Sequence, residues 1–282
     1  METISFRAFD TTSLSSSFRR TGGADIYSLE EQRELLGVLA EQRGFDDFRK
    51  QARAAVDESG VLVVDGVDTD SEPLLVALAA IFGEVDAEGN GFPGRTISEI
   101  RHDPEEENGL FSAENERFAP HTDSCFMAEP HRYLVMGVVI HDPDRHGETT
   151  LVDGYEVLRG LTEDEERRLH QLRVQFSVNG DAESAALAAP VLANHRERTM
   201  IRYRSDMIVR DVSGGEADEE SLRALRKFED LAAEHPEISR TFLERGSVII
   251  VDNWRMLHGR DHFPKGSPRL LKRLKVKFTG GE

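Results

Sequence analysis

The sequence predicts a mainly β fold, a sandwich or barrel, with helices packed on its outside. Two observations carry that prediction. Apolar runs rich in β-branched residues, at Val61-Leu62-Val63-Val64, Tyr133 to Ile140 and Val248-Ile249-Ile250-Val251, have the length of buried strands and are bounded by turn residues. Between them lie separate stretches of helical period, with no internal repeat and no linker that splits the chain. A single domain over residues 1–282 is expected, its region 1–59 helical and packed on the β core.

In chain order, residues 1–27 have no strong period. Ser28 and Glu31 form a capping-box pattern, and Leu35, Leu36 and Leu39 give the helix that follows its apolar stripe. A second helix is expected from Phe45 to Glu58, with Phe45, Phe48, Ala52 and Val56 on one face and Gly60 at its stop. The strand at Val61 turns at Asp65-Gly66. A third helix follows from Glu72 to Phe82, with Pro73 in its first turn and Gly83 after it. Residues 84–118 read as loop, and their acidic patch, Asp103 to Asn108, is either a solvated loop or a binding loop. After the strand at Tyr133, HDPDRHGE makes a turn into a short strand, Thr149 to Asp153. Leu161 to Leu172 reads as an exposed helix. Residues 179–198 are small and polar without period, a candidate mobile loop or lid. Met200 to Val209 returns to strand character. Ala217 to Glu234 is a helix burying Leu222, Leu225, Phe228 and Leu231. The run from Val248 breaks at Asp252-Asn253, His258 follows in HGR, and after PKGSP an alternating segment places Arg269, Leu271 and Arg273 on one face.

Composition narrows the function. A formal net charge of -18 repels nucleic-acid backbone and anionic membrane, so neither is an expected partner. No apolar run reaches the roughly 20 residues that span a bilayer. The first residues lack a signal-peptide pattern, and Cys125 is the only cysteine, which points to the cytoplasm. Whether the chain is a monomer or homodimer is left open. Lys272, Lys275 and Lys277 read as solvated strand positions.

The sharpest motif is Pro120-His121-Thr122-Asp123. In extended chain His121 and Asp123 point to one side, about 6 to 7 Å apart at the backbone, within reach of one metal ion. Alone an H-x-D triplet is a weak signal, and it needs a distant third ligand. His258 is the candidate. Two histidines and one carboxylate suit a non-haem Fe(II) oxygenase, leaving three positions for a keto acid and dioxygen.

With these pieces in view the chain resembles the Fe(II)/2-oxoglutarate-dependent dioxygenases of the taurine dioxygenase and clavaminate synthase type. FAPHTDSCF at 118–126, HGETTLVDGYEVL at 146–158, IRYRSDM at 201–207, DNWRMLHGRDHF and PRLLKR stand in the family's order. The resemblance covers roughly residues 60–278. It implies a double-stranded β-helix, a jelly-roll core, in which His121, Asp123 and His258 bind iron. It implies that Thr149 helps hold 2-oxoglutarate and that Arg269 pairs its distal carboxylate, a task that suits an always-charged, bidentate side chain. It further implies a small-molecule substrate, O2 as cosubstrate, and hydroxylation with succinate and CO2 as coproducts. Asp123 stands where family halogenases carry a small residue.

Several readings stay open. Four residues of strand span about 13 Å, so Arg269 and Arg273 do not clamp one carboxylate. Arg273 either meets an acidic group of the substrate or makes a structural contact. Arg204 and Asp206 share a face if their segment is extended, and either hold a zwitterion with Arg273 or meet protein groups at the sheet's rim. Cys125 lines the pocket or is a buried small hydrophobe, and Trp254 is core. His102, His141, His170, His195 and His235 read as surface residues; His131, His146 and His262 lack ligand spacing. The substrate expected is an amino acid or derivative. Desaturation or oxidative cyclisation with the same cofactors is an alternative outcome, and a catalytically inactive jelly-roll binding protein is the alternative from another class.

Overall fold

The computed structural model describes residues 1–6, 27–86, 95–102, 115–177, 185–195, 198–209 and 218–279. The strands are β1 Glu2–Ser5, β2 Val61–Asp65, β3 Glu84–Val85, β4 Ser98–Arg101, β5 Phe118–His121, β6 Tyr133–Ile140, β7 Thr149–Asp153, β8 Arg173–Ser177, β9 Ala185–Pro190, β10 Leu192–His195, β11 Arg198–Ile201, β12 Ile208–Val209, β13 Ser239–Thr241, β14 Val248–Asp252, β15 Met256–Arg260 and β16 Leu270–Lys277. The helices are α1 Leu29–Ala40, α2 Phe45–Ser59, α3 Glu72–Ala80, α4 Gly154–Arg159, α5 Glu163–Gln171 and α6 Glu219–Glu234.

A large sheet runs β1-β2-β14-β6-β16-β3, with β4 also paired to β16; a smaller one runs β13-β7-β15-β5. The continuous apolar runs are explained by cover on both faces. In β14, Val248 and Ile250 face the N-terminal helices, packing with Leu35, Leu39, Phe45, Phe48 and Val56. Ile249 and Val251 face inward, against Leu151 and Met256 of the smaller sheet. These two facing sheets are the jelly-roll pair, and the site lies between them.

The Ser28 capping box forms: Glu31 N donates to Ser28 Oγ at 3.2 Å and Ser28 N to Glu31 Oε2 at 2.7 Å. Phe45, Phe48, Ala52 and Val56 are the buried face of α2. In α6 the buried face is Ser221, Ala224, Leu225, Phe228 and Ala232, with Leu222 and Leu231 half-buried at its edges.

Three expectations fail. Within 84–118, expected to be loop, β3 and β4 add short edges to β16, too short to leave a period in the sequence. Residues 185–195 are not loop: β9 pairs with β8 and β10 with β11, ladders that small residues make through their backbones. The expected strand from Met200 to Val209 ends at Ile201, and Ser205–Met207 is a 3₁₀ turn. The acidic patch 103–108 lies outside the described residues. No described helix is long and apolar enough to cross a membrane.

Candidate active site

His121 ends β5 and His258 sits in the middle of β15, and the two strands pair with these residues opposite each other. Gly259 makes that pairing possible. A Cβ there would lie 2.4 Å from the Phe118 carbonyl oxygen and 2.7 Å from Thr150 Oγ1, so only glycine lets β15 lie between β5 and β7. Asp123 stands two residues past β5, in a turn tied from outside. Its N–H donates to Asn253 Oδ1 at 2.7 Å, and Asn253 Nδ2 donates back to the Asp123 carbonyl at 3.0 Å. Ser124, the next residue, has φ 63, a left-handed backbone that its side chain helps hold by a 2.7 Å bond to His131 Nδ1. His131 Nε2 in turn lies 2.8 Å from Asp86 Oδ2.

These constraints bring His121, Asp123 and His258 together. All three are buried, and one ligand atom from each lies within 4.8 Å of the others. The Nδ1–H of His121 donates to the Ala119 carbonyl at 2.8 Å, which fixes the tautomer and leaves Nε2 as a lone pair, 3.5 Å from Asp123 Oδ1. Nδ1 of His258 is buried without a hydrogen-bond partner among the described residues. Burial, then the charge of His121, pushes the His258 imidazole down to about 3, against the pull of Asp123. His121 is lowered too, chiefly by burial. Burial works to raise Asp123, but Arg273, Lys275 and the two histidines together outweigh it and hold the carboxyl well below its usual range. Two neutral imidazoles and one carboxylate are the donor set that a divalent cation takes, and an orphaned imidazole nitrogen is a cost that a metal would remove. A second acidic group, Asp142, Asp144 and His146, is different in kind. Asp142 there accepts from the backbone of Asp144 and His146 and from Ser267, and it caps its loop.

A cavity beside the histidines is lined by Thr149, Arg269, Arg273, Phe118, Met136 and Arg260. Arg269 is 8 % exposed, and its guanidinium makes no hydrogen bond or ion pair with any described residue. Its stem packs against Gly147, where a Cβ would meet Arg269 Cδ and Nε at 3.3 Å. Burial, then the Arg260 charge, brings Arg269 down to about 9, Asp142 opposing. A buried guanidinium beside a hydroxyl is an arrangement that can bind a carboxylate.

Arg273 donates to Asp123 Oδ2 at 2.9 Å. Arg204 and Asp206 pair with each other, Nε lying 3.1 Å from both carboxylate oxygens, and Arg204 Nη1 is 3.5 Å from Asp123 Oδ1. The 3₁₀ turn folds Asp206 back onto Arg204, in place of two side chains standing parallel on a strand. Cys125 is buried, its Sγ 3.6 Å from Met207 Sδ, in the apolar cluster that surrounds the α6 helix. Trp254 is buried, its indole N–H donating to the Pro130 carbonyl at 3.0 Å. His102, His141, His170, His195 and His235 are half-buried, and His141 lines a small cavity with Thr149 and Arg269.

The lysine reading needs correction. Lys277 is exposed, but Lys272 and Lys275 are 8 % and 4 % exposed. Lys272 reaches outward, 3.2 Å from Glu72 Oε1, because the large sheet is covered by helices on that face. Lys275 points inward, its Nζ 3.8 Å from Asp123 Oδ2. The alternation that put Arg269, Leu271 and Arg273 on one face also contains Lys275, so the signal was there. Asn253 and the Ser124–His131–Asp86 chain left no such signal, since their partners are distant in sequence. Arg260 shares a face with His258 two residues on, and donates to the Glu116 carbonyl at 2.9 Å.

No curated protein sequence matches the chain. Among solved structures, the non-heme iron oxygenase OrfP in complex with Fe and alpha-ketoglutaric acid is similar over 98 % of this chain and 94 % of that one, with TM-score 0.78 and 21 % identity. OrfP in complex with Fe, succinate and (3S)-hydroxy-L-Arg gives TM-score 0.75 at 20 % identity, over 98 % and 94 % of the two chains. An asparagine oxygenase in complex with Fe(II), 2S,3S-3-hydroxyasparagine and succinate gives 0.74 at 18 % identity, over 98 % and 93 %. These likenesses show the jelly-roll fold. The family model for the taurine catabolism dioxygenase TauD, TfdA family matches residues 32–275, so the chain belongs to that family, the Fe(II)- and 2-oxoglutarate-dependent dioxygenases.

Proposed function

We propose that this dioxygenase hydroxylates an unactivated C–H bond of a small, free, carboxylate-bearing molecule, an amino acid or close derivative. In this reading His121, Asp123 and His258 hold the iron, Arg269 and Thr149 hold 2-oxoglutarate, and Arg273 faces the substrate. When bound, Fe(II) with 2-oxoglutarate and O2 supplies the oxidising power that converts C–H to C–OH, releasing succinate and CO2. The chain's own residues do the rest. The Ala119 carbonyl keeps the His121 Nε2 lone pair directed into the site, and the Asn253 clamp keeps Asp123 in its turn. Arg269 sets the cosubstrate's orientation through its distal carboxylate.

The single observation that carries the reading is the coincidence of a buried three-donor group with a buried unpaired arginine in one cavity. The hydroxylated amino acids bound in the OrfP and asparagine oxygenase complexes support the substrate class. The lone cysteine, and a charge of -18 that repels polyanions, support a cytoplasmic enzyme of free small molecules. A panel of free amino acids and derivatives, scored for stimulated succinate formation, tests the reading. Stimulation only by compounds lacking both carboxylate and amine would contradict it.

A further inference from the structure

Around Asp123 the cations outnumber the carboxylates. Arg204, Arg273 and Lys275 stand there against Asp123 and Asp206 among the described residues. Asp206 takes Arg204. The proposed function, on which this inference rests, gives Arg269 to 2-oxoglutarate. Arg273 and Lys275 remain, and both are aimed at one atom, Asp123 Oδ2, at 2.9 and 3.8 Å. A metal ion sharing that carboxylate would leave the two cations still less compensated.

Lys275 is the sharper anomaly. It is 4 % exposed, and its ammonium donates no hydrogen bond to any described residue, 3.8 Å being too long for one. Nε of Arg273 is also buried without an acceptor. A buried ammonium with unfilled donors is costly unless an anion arrives to take them. Positions 273 and 275 lie on the same face of β16, and their side chains converge on a single oxygen, so one small anion reaches both.

We propose that Lys275 is a specificity-determining residue that, with Arg273, forms a two-cation site for an anionic group of the primary substrate, so that the enzyme prefers acidic amino acids to neutral or basic ones. A zwitterion leaves the surplus charge in place, and a basic side chain adds to it. An acidic side chain removes part of it.

The test is calorimetric titration of the anaerobic enzyme loaded with Fe(II) and saturating 2-oxoglutarate. The ligands are L-aspartate and L-glutamate, their amides L-asparagine and L-glutamine, and L-arginine and L-lysine. Each acid is expected to bind at least about tenfold tighter than its own amide, and the basic amino acids more weakly still. Lys275→Met is expected to bring acid and amide to within about twofold while leaving 2-oxoglutarate affinity unchanged, and Lys275→Arg to keep the preference. Equal or tighter binding of the amides or the basic amino acids overturns the proposal, as does an acid preference that survives Lys275→Met. If Lys275→Met does not fold, the acid-to-amide ratio of the parent enzyme decides alone. A loaded enzyme that shows its visible Fe(II)–2-oxoglutarate band yet binds neither acid overturns this inference only; a protein that shows no band overturns the proposed function with it.

Discussion

Arg269 is held in the fold as a buried cation over the Phe263 ring, without a hydrogen-bond or ion-pair partner for its guanidinium among the described residues, an arrangement that suits a carboxylate. Arg269→Ala should therefore weaken 2-oxoglutarate binding by about 3 to 5 kcal/mol, a rise in its Michaelis constant of roughly two to four orders of magnitude, while Thr149→Val costs about 1 kcal/mol, the size of one hydrogen bond. Equal Michaelis constants for parent and Arg269→Ala would move the role to Arg273. Asp123→Ala should abolish succinate formation and metal binding, read by equilibrium dialysis, since it removes the only charged donor of the three. The pH dependence has a definite sign. His258 is held at about 3, so the unfolded chain binds a proton that the folded one refuses from about pH 6.5 down to that value. Stability of the metal-free protein falls as pH drops through that window, by roughly 2 to 3 kcal/mol between pH 6.5 and 4.5. Asp123, held low by its cations, acts in the same direction. Urea unfolding at the two pH values checks it, and His258→Gln should flatten the slope. At this scale H-x-D, His258, Thr149 and the two arginines were legible because each keeps a fixed spacing in a motif. Lys275 was misread because charge suggested solvent, although its period placed it beside Arg273.

The two strands that carry the histidines depend on a missing side chain. Gly259→Ala would drive a Cβ into the Phe118 carbonyl and Thr150, both parts of paired neighbours. The expected cost is about 1 to 3 kcal/mol of stability, with metal affinity falling as β5 is pushed away from β15. Melting temperature and metal titration read the two effects separately. A parent-like melting temperature would mean that the strands give way more easily than this packing implies. The strands built from Val61, Tyr133 and Val248 were legible because helices cover one face and the smaller sheet the other, forcing both faces apolar. β3, β4, β9 and β10 were not, because strands that are short or built of small residues are held by backbone pairing that leaves no side-chain period. The Asn253 clamp is a tertiary link across 130 residues, and a single sequence does not announce it.

The whole chain joins an acidic exterior to a site rich in buried cations. A formal charge of -18 overall coexists with Arg204, Arg269, Arg273 and Lys275 gathered between the two sheets. Such a site stores unfavourable charge in the empty protein and releases it on loading, so metal and 2-oxoglutarate together should raise the melting temperature, with about 2.7 kcal/mol gained at a ligand concentration one hundred times its dissociation constant. The central claim is that His121, Asp123, His258 and Arg269 form one working iron and 2-oxoglutarate site. The measurement that tests it most directly is the visible absorption spectrum of the protein after anaerobic addition of Fe(II) and then 2-oxoglutarate. A weak charge-transfer band that appears only with both, is absent in Asp123→Ala, and needs far more 2-oxoglutarate in Arg269→Ala is the result expected. A featureless spectrum from the folded parent protein at saturating Fe(II) and 2-oxoglutarate would contradict it.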